Sequence, residues 1–288
     1  MKNILIVGSG DIALRAARLL GVRYRLFGLL RNRSRHELLS AAGIIPVLGD
    51  LDNRRSLAHL AGIAHIILHF APPPSVGDDD PRTRNLLAAV SQGRLPERFI
   101  YISTSGVYGD LGGAQLNESH ILNPQTARAQ RRVNAEHRIR EWAKRNRVQA
   151  SILRVPGIYA ADRLPLARLR MASPTILAEQ DSYTNLIHAD DLARIIVATL
   201  RHGKPNRVYH ASDDSEMKMG DYFDVVADKF KLPRPTRLPR TEVERAVSPM
   251  LWSFMNESRR LSNVRMKKEL GVKLRYPTVG DMLNEIQT

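Results

Sequence analysis

Six residues near the start of the chain have the spacing of a phosphate-binding turn: Gly8-Ser9-Gly10-Asp11-Ile12-Ala13. This G-x-G-x-x-A pattern lies between an apolar run and an amphipathic one, which predicts a strand, a tight turn and a helix. Gly8 permits the turn, Gly10 lets the backbone approach a pyrophosphate, and the helix N-terminus offers N–H groups to its oxygens. We therefore predict a dinucleotide site here, to which Ser9, Asp11 and Ile12 also contribute.

Arginines follow the second apolar run, where dinucleotide-binding proteins distinguish their cofactors. NAD-binding proteins place an acidic residue there to bind the ribose 2′-hydroxyl, whereas arginine forms bidentate hydrogen bonds with a 2′-phosphate. Here Arg31, Asn32, Arg33 and Arg35 occupy the position, and the first acid is Glu37. The sequence therefore favours NADP over NAD, with a solvated basic loop as the alternative.

Short apolar runs alternate with segments of helical periodicity through the first two-thirds of the chain. The apolar runs predict strands over residues 3–7, 25–30, 44–48, 65–69, 98–103 and 149–155. Helical spacing predicts helices over residues 11–20, 36–42, 56–61, 81–91 and 127–145. This β-α-β order predicts an α/β fold, namely a Rossmann-type doubly wound parallel sheet.

The alternation of strands and helices ends near residue 160, which divides the chain into two parts. Residues 1–160 are predicted to form an NAD(P)-binding Rossmann domain, to which a run at 207–211 adds the last strand. Residues 161–288 are predicted to form a smaller, mostly helical substrate lobe over the carboxyl edge of the sheet. Its predicted helices cover residues 191–200, 221–229, 242–255 and 265–270.

Composition narrows the class of protein. The chain has 288 residues and no cysteine, which excludes disulfides and cysteine-based metal sites and fits a reducing, cytoplasmic compartment. No segment approaches the roughly 18 apolar residues of a membrane span, and we predict no metal site. The net charge of +15 is compatible with nucleic-acid binding, but the arginines are dispersed and no zinc-finger or RNP motif accompanies them. Nucleic-acid binding is therefore not favoured.

Five further segments follow the glycine turn in order: GDL at 49–51, HFAPPP at 69–74, YISTSGVYGD at 101–110, LRVPGIY at 153–159 and NLIHADDLA at 185–193. Together with the turn, they resemble the extended short-chain dehydrogenases/reductases, the family of NAD(P)-dependent epimerases and dehydratases. The resemblance implies a homodimer formed through the helix at 127–145. It also implies cofactor contacts from Asp50, Leu51, Phe70, Ala71, Pro72, Thr104, Arg132, Pro156, Gly157 and Ile158.

Members of that family carry a serine or threonine after the fifth strand and a Tyr-x-x-x-Lys pair on the long helix that follows. Thr104 matches the first of these; counted back from Glu136, Arg132 stands in the lysine place and Arg128 in the tyrosine place. An arginine, with a pKa above about 12, cannot exchange protons near neutral pH. Thr104, Arg128 and Arg132 are the positional candidates for catalysis, in which Arg132 could keep a ribose contact and Arg128 could bind a phosphate or carboxylate.

Other polar residues could take over proton transfer, but we favour a structural interpretation of each. Tyr108 is interpreted as a packed residue, His69 as part of a buried strand, and His188 as a hydrogen-bonded residue at a helix start. The acids at 78–80 are interpreted as a capping run before the helix at Pro81.

Three functions follow from these residues. The first, which we favour, is an NADP-dependent oxidoreductase with a non-standard active site and a small-molecule substrate that Arg128 and Arg132 favour as an anion. The second is a catalytically inactive NADP-binding sensor or partner-binding module, which would explain the loss of tyrosine and lysine directly. The third is nucleic-acid binding through the basic surface, which predicts salt-dependent retention on DNA.

Overall fold

The computed structural model describes residues 1–286 of the chain. The strands are β1 (Lys2–Val7), β2 (Tyr24–Leu30), β3 (Ile44–Leu48), β4 (Ile66–His69), β5 (Arg98–Thr104), β6 (Gln115–Leu116), β7 (Gln149–Val155), β8 (Gly157–Tyr159), β9 (Thr175–Ile176), β10 (Tyr183–Thr184), β11 (Leu186–His188), β12 (Arg207–His210), β13 (Met217–Lys218), β14 (Arg237–Leu238) and β15 (Arg260–Leu261).

The α-helices are α1 (Asp11–Leu20), α2 (His36–Ala41), α3 (Pro81–Val90), α4 (Ala127–Asn146), α5 (Leu166–Arg170), α6 (Ala189–His202), α7 (Met219–Lys229), α8 (Arg240–Ala246), α9 (Pro249–Met255), α10 (Val264–Leu270) and α11 (Val279–Glu285). Between residues 1 and 286 there is no helix with both the length and the apolar composition needed to cross a bilayer.

Seven of the strands pair in parallel as one central sheet, in the order β12-β7-β5-β4-β1-β2-β3. This is the doubly wound arrangement that the sequence predicted. The sheet grows in opposite directions from β1 and β4, so the loops after these two strands diverge and leave a crevice between them. Val7 pairs with His69 at this point, directly before the two loops. The predicted last strand is also confirmed, because β12 pairs with β7 at the edge of the sheet.

Helices cover both faces of the sheet and bury its apolar side chains. On one face, α1, α6 and α10 share a single core, to which Ala16, Ile196 and Met266 contribute. On the other face, α3 and α4 pack through residues such as Leu86 and Ile139. Helices α6 and α10 follow parts of the lobe in sequence, so the sheet is covered by residues from far along the chain.

A smaller lobe lies at the carboxyl ends of β5 and β7, formed by chain segments before and after β12. Tyr159, Phe223, Val226 and Met282 are buried together in its core. Helices α5, α7, α8, α9 and α11 belong to this part of the protein, together with short two-stranded pairs. The lobe therefore faces the edge of the sheet where ligands bind in open α/β folds.

Two helices differ from their sequence predictions. The single helix predicted over residues 242–255 is wrong, because α8 and α9 are separate. Ser248 caps α9 and Pro249 takes its first position. Proline has no N–H and disfavours helical conformation in the residue before it, so Pro249 favours a break in the helix at this point. The helix predicted at 56–61 is a 3₁₀ helix over Arg54–Leu60.

A buried ion pair joins β7 to α4. Arg154 donates to the two carboxylate oxygens of Glu136 at 3.1 and 2.7 Å, and the side chains are 3% and 0% exposed. Arg154 also donates to Tyr108 Oη at 2.6 Å, and that oxygen lies 2.6 Å from His210 Nε2. Burial raises the pKa of Tyr108 to about 12 and lowers the pKa of His210 to about 3, so both rings are neutral near pH 7. This network stabilises the turn after β5. Tyr108 is therefore packed in the interior.

Candidate functional site

A cavity of about 520 Å³ opens at the crevice between β1 and β4. Gly8 begins the turn on its wall with a φ of +95°, in the left-handed region. A Cβ on Gly8 would lie 2.4 Å from Ala71 N, so only glycine lets the two loops approach this closely. Many of the predicted cofactor residues line this cavity together, namely Gly8, Ser9, Gly10, Arg31, Asn32, Asp50, Leu51, Phe70, Ala71 and Pro72.

The start of α1 offers free N–H groups to this cavity. Gly10 is the N-cap without a side chain to cap the helix, and a Cβ placed on it would meet nothing within 4 Å. Open space beside helix N–H groups without intrahelical partners suits the oxygens of a pyrophosphate. The side chains of Asp11 and Ile12 do not line the cavity, because Asp11 pairs with Arg15 at 3.0 Å and Ile12 packs against the core. The structure thus places the side chains of Asp11 and Ile12 outside the first cavity.

The loop after β2 presents its arginines on two sides. Arg31, Asn32 and Arg35 line the first cavity, whereas Arg33 lines a separate depression with Pro46. All three arginines are exposed, so their side chains are accessible to a ligand. The structure thus brings Arg31 and Arg35 to the predicted cofactor site and leaves Arg33 outside it.

Arg82 lines the same cavity, which the sequence did not indicate. It forms an ion pair with Asp52 at 2.6 Å and donates a hydrogen bond to the carbonyl oxygen of Pro72 at 3.2 Å. Arg82 therefore ties the loop after β3 to the loop after β4. The two partners of the ion pair are 30 residues apart, and no local pattern relates them.

A second cavity, of about 320 Å³, lies between the carboxyl ends of β5 and β7 and the lobe. The sheet side supplies Thr104, Pro156, Gly157 and Ile158, which the sequence assigned to the cofactor, and α4 supplies Arg128. Thr104 also stabilises the turn after β5, because its Oγ1 accepts a hydrogen bond from the backbone N–H of Gly106 at 3.2 Å. The lobe supplies Tyr159, Arg163, Pro165, Tyr183, Thr184, Asn185, Leu186, Met219, Tyr222, Phe223, Phe254, Glu257 and Arg259.

The two arginines predicted at catalytic positions of α4 have different surroundings. Arg128 lies on the wall of the second cavity, with its guanidinium carbon 4.0 Å from the centre of the Phe254 ring. Burial lowers the pKa of Arg128, against the opposing effect of Glu257. Arg132 lines neither cavity, since its Nη1 donates to Tyr101 Oη at 3.0 Å and to a backbone carbonyl of β5 at 2.9 Å.

The sequence matches the model of a known protein family. The model of the "NAD dependent epimerase/dehydratase family" matches residues 16–212, which is more than half of the chain. The chain belongs to this family. The resemblance that the sequence motifs indicated is therefore confirmed.

Relatives of the chain include enzymes that act on sugar nucleotides. It is 23% identical over 266 residues to a GDP-6-deoxy-D-mannose reductase from Pseudomonas aeruginosa. The aligned region covers 85% of this chain and 87% of that enzyme. It is 24% identical over 173 residues to the human dTDP-D-glucose 4,6-dehydratase. This aligned region covers 54% of the present chain and 49% of the human enzyme.

Solved structures show the same fold. A conserved protein from Silicibacter pomeroyi has a TM-score of 0.81 and 29% identity, over 99% of this chain and 97% of its own. A dTDP-glucose 4,6-dehydratase from Streptomyces venezuelae, solved with NAD bound, has a TM-score of 0.79 and 19% identity, over 98% of this chain and 94% of its own. At that identity the likeness concerns the fold alone.

Three polar residues of α4 hold the loop after β4. Arg131 and Asn134 donate hydrogen bonds to carbonyl oxygens of this loop, and Arg138 forms an ion pair with Asp79 at 2.9 Å. The loop begins with Phe70, on the wall of the first cavity. These side chains of α4 therefore support the loop that forms part of the wall of the first cavity.

The residues that the sequence analysis interpreted as structural form hydrogen bonds that stabilise the fold. Nε2 of His69 lies 2.9 Å from Thr83 Oγ1, and burial lowers the pKa of His69 to about 3. His188 caps α6 by accepting a hydrogen bond from Asp190 N at 3.2 Å, and burial lowers its pKa as well. Asp80 caps α3, whose first position is a proline, as the capping interpretation predicted.

Glu257 and Arg259 are candidate site residues that the sequence did not indicate. Arg259 Nη1 donates to Glu257 Oε2 and to the carbonyl oxygen of Gly109, each at 2.7 Å. A Cβ on Gly106 would lie 3.6 Å from Thr104 Oγ1 and 3.9 Å from Glu257 Oε2, so both oxygens face one small space. Glu257 reaches this space only because the lobe packs onto the sheet, and no spacing in the sequence signals it.

Asp213 lies beside Tyr159 in the lobe and should make the stability of the protein depend on pH. Burial raises the pKa of Asp213 to about 7, although Ser215 N donates to its Oδ1 at 2.9 Å. In an unfolded chain the pKa of an aspartate is about 3.9. The folded protein therefore retains a proton that the unfolded chain releases, and the contribution of Asp213 to stability falls as the pH rises from about 4 through 7.

We expect Asp213→Asn, which stays neutral and keeps the acceptor for Ser215 N, to match the wild type near pH 4. Above about pH 8 it should be more stable by ~2–4 kcal/mol. Thermal unfolding of both proteins across this range measures the effect, with Asp162→Asn as control because that side chain is 68% exposed. A stability difference that does not change with pH would contradict the assignment.

Proposed function

We propose that the protein binds NADP in preference to NAD and acts as an oxidoreductase on a small anionic substrate, with a non-standard active site. A bound nicotinamide cofactor supplies hydride transfer. The residues of this chain hold the dinucleotide in the first cavity and orient the substrate in the second. The observation that carries the proposal is the position of Arg31 and Arg35 on the wall of the first cavity, at the end of β2.

The residues of the first cavity fit a dinucleotide. Gly8 allows the close approach of two loops, and Gly10 leaves open space before the N–H groups of α1. At the end of β2, where an acid would bind a ribose 2′-hydroxyl, the lining presents two exposed guanidinium groups. Guanidinium groups form bidentate hydrogen bonds with phosphate, which favours the 2′-phosphate of NADP.

Arg31→Glu tests the cofactor preference. It should weaken NADPH binding by about tenfold or more, because it replaces a phosphate-binding group with one of like charge. NADH, which lacks the 2′-phosphate, should bind with nearly unchanged affinity. Arg33→Glu makes the same charge change in the same loop, but that side chain lines the separate depression. Isothermal titration calorimetry of both variants with both cofactors, at fixed ionic strength, measures the difference.

The outcomes of this titration are distinct. Equal affinity of the wild type for NADPH and NADH, or equal losses in the two variants, would contradict the NADP preference. Binding of neither cofactor by a folded protein would contradict the nucleotide-binding function itself.

On the substrate side, we propose that Thr104 orients the substrate, Arg128 binds its anionic group and Arg132 supports β5 beside the cavity. Arg128 stands in the family's tyrosine place, and arginine cannot exchange protons near neutral pH. Proton transfer therefore depends on another group or on water. Thr104 and Arg128 share the second cavity, which supports their joint role.

A second candidate function is an NADP-binding sensor or partner-binding module without catalysis. The observation that favours it is the position of Arg132, which stands in the lysine place yet binds Tyr101 and a carbonyl of β5. Incubation of the protein with NADPH and a panel of carbonyl compounds, followed by NADPH absorbance, separates the two functions. Tight NADPH binding without any oxidation would favour the sensor.

A further inference from the structure

The second cavity contains one arginine, Arg128, that forms no ion pair among residues 1–286. Of the three arginines that line it, Arg163 pairs with Asp11 at 3.1 Å and Arg259 pairs with Glu257 at 2.7 Å. Among residues 1–286, no carboxylate lies within ion-pair distance of Arg128, and its contact is the ring of Phe254. A partly buried guanidinium with free donors is stabilised when an anion binds to it.

The surroundings of Arg128 suit a carboxylate. Its guanidinium carbon lies over the Phe254 ring, 4.0 Å from the ring centre. Within residues 1–286, no hydrogen bond or ion pair of the protein occupies the N–H groups of this guanidinium. Those groups match the two oxygens of a carboxylate in a bidentate pair.

The same cavity that Arg128 lines also presents hydrogen-bond acceptors. Thr104 Oγ1 and Glu257 Oε2 face the space next to Gly106, at 3.6 and 3.9 Å from the position of a Cβ there. The charge of Glu257 is compensated by Arg259, so the carboxylate can accept a hydrogen bond without repelling an anion strongly. The volume of about 320 Å³ is at the lower end of the range of about 300–1,000 Å³ for small-molecule sites.

We propose that the second cavity binds small hydroxy-carboxylates, with the carboxylate on Arg128 and a hydroxyl group on Thr104 and Glu257. This inference rests on the proposed function, because it names the substrate class of the cavity that we assign to the substrate. It differs from a general preference for anions because it requires a carboxylate and a hydroxyl on the same small molecule.

Direct binding tests the carboxylate contact. The probe is gluconate, and sorbitol is its matched neutral counterpart because it has an alcohol in place of the carboxylate. Calorimetric titrations, with and without saturating NADPH, should show gluconate binding and no sorbitol binding. Arg128→Gln should weaken gluconate binding by about tenfold or more. Arg23→Gln, an exposed arginine before β2, removes the same charge and should bind gluconate as the wild type does.

Gly106→Ala tests the hydroxyl contact. The added methyl would be at ordinary contact distance from its neighbours, so the variant should fold normally. It would fill the space between Thr104 and Glu257, and gluconate binding should fall by about tenfold. Hexanoate has the same chain length without hydroxyl groups, and its weaker binding should be unchanged in Gly106→Ala but lost in Arg128→Gln. The melting temperature and NADPH affinity of each variant establish that it is folded.

The results separate this inference from the function on which it rests. NADPH binding without gluconate binding, or gluconate binding that survives Arg128→Gln, would overturn the inference alone. Equal binding of gluconate and sorbitol would overturn the carboxylate contact. Gluconate binding by a protein that does not bind NADPH would support the subsite and overturn the proposed function.

Discussion

Gly10→Ala is expected to fold as the wild type does and to bind NADPH about tenfold or more weakly. Gly10 has a φ of −86°, which alanine adopts freely, and a Cβ there would meet no atom within 4 Å. The substitution should therefore add no strain to the folded chain. The methyl group would instead occupy the open space before the N-terminus of α1, where a pyrophosphate must approach the backbone. Calorimetry with NADPH and thermal unfolding on the same sample measure both effects.

Gly8→Ala is the contrasting variant. Gly8 has a φ of +95°, and its Cβ would lie 2.4 Å from the backbone nitrogen of Ala71. The loops after β1 and β4 would have to separate, which should cost ~3 kcal/mol or more of stability and abolish NADPH binding. A Gly8→Ala protein with an unchanged melting temperature, or a Gly10→Ala protein with unchanged affinity, would contradict this account of the turn.

Glu136→Ala should destabilise the protein by ~3–5 kcal/mol, because it leaves the guanidinium of Arg154 buried without its counter-charge. The Arg154 side chain is only 3% exposed, so bulk water is a poor replacement for the carboxylate. Arg154 also bonds Tyr108, so the loss should extend to the turn that carries Thr104. Urea unfolding of variant and wild type measures the change in free energy, together with its slope.

Glu97→Ala is the matched control for this ion pair. Glu97 pairs with Lys2 at 2.5 Å, but the two side chains are 44% and 53% exposed. Water and salt screen such a pair, so its loss should cost only ~0–1 kcal/mol. If the two glutamate variants lost similar amounts of stability, burial of Arg154 would not be the reason for the effect.

The sheet and the glycine turn could be predicted from the sequence because both are encoded locally. Each buried strand is a short apolar run, and the helices between them repeat their apolar residues at helical spacing. The turn at Gly8 depends on a residue type that is needed at one position. The break between α8 and α9 is also encoded locally, by Pro249. The prediction of a helix over residues 242–255 did not take account of this proline.

The candidate site was predictable only in part, because much of it depends on long-range contacts. Glu257 reaches the space beside Gly106 that Thr104 also faces only when the lobe packs on the sheet, and Arg82 lines the first cavity through contacts with distant loops. Arg31 and Arg33 are two residues apart in one basic loop, and the fold alone decides which of them faces the cavity. Residue type indicated what these side chains could bind, while their position required the structure.

The path of the chain between β7 and β12 has a consequence for protein engineering. After β7 the chain enters the lobe, returns to the sheet through α6 and β12, and then enters the lobe again. The lobe therefore cannot be exchanged as one cassette at a single splice point. A chimera with the substrate specificity of a relative would need several junctions, or transplanted side chains around the second cavity on the native backbone.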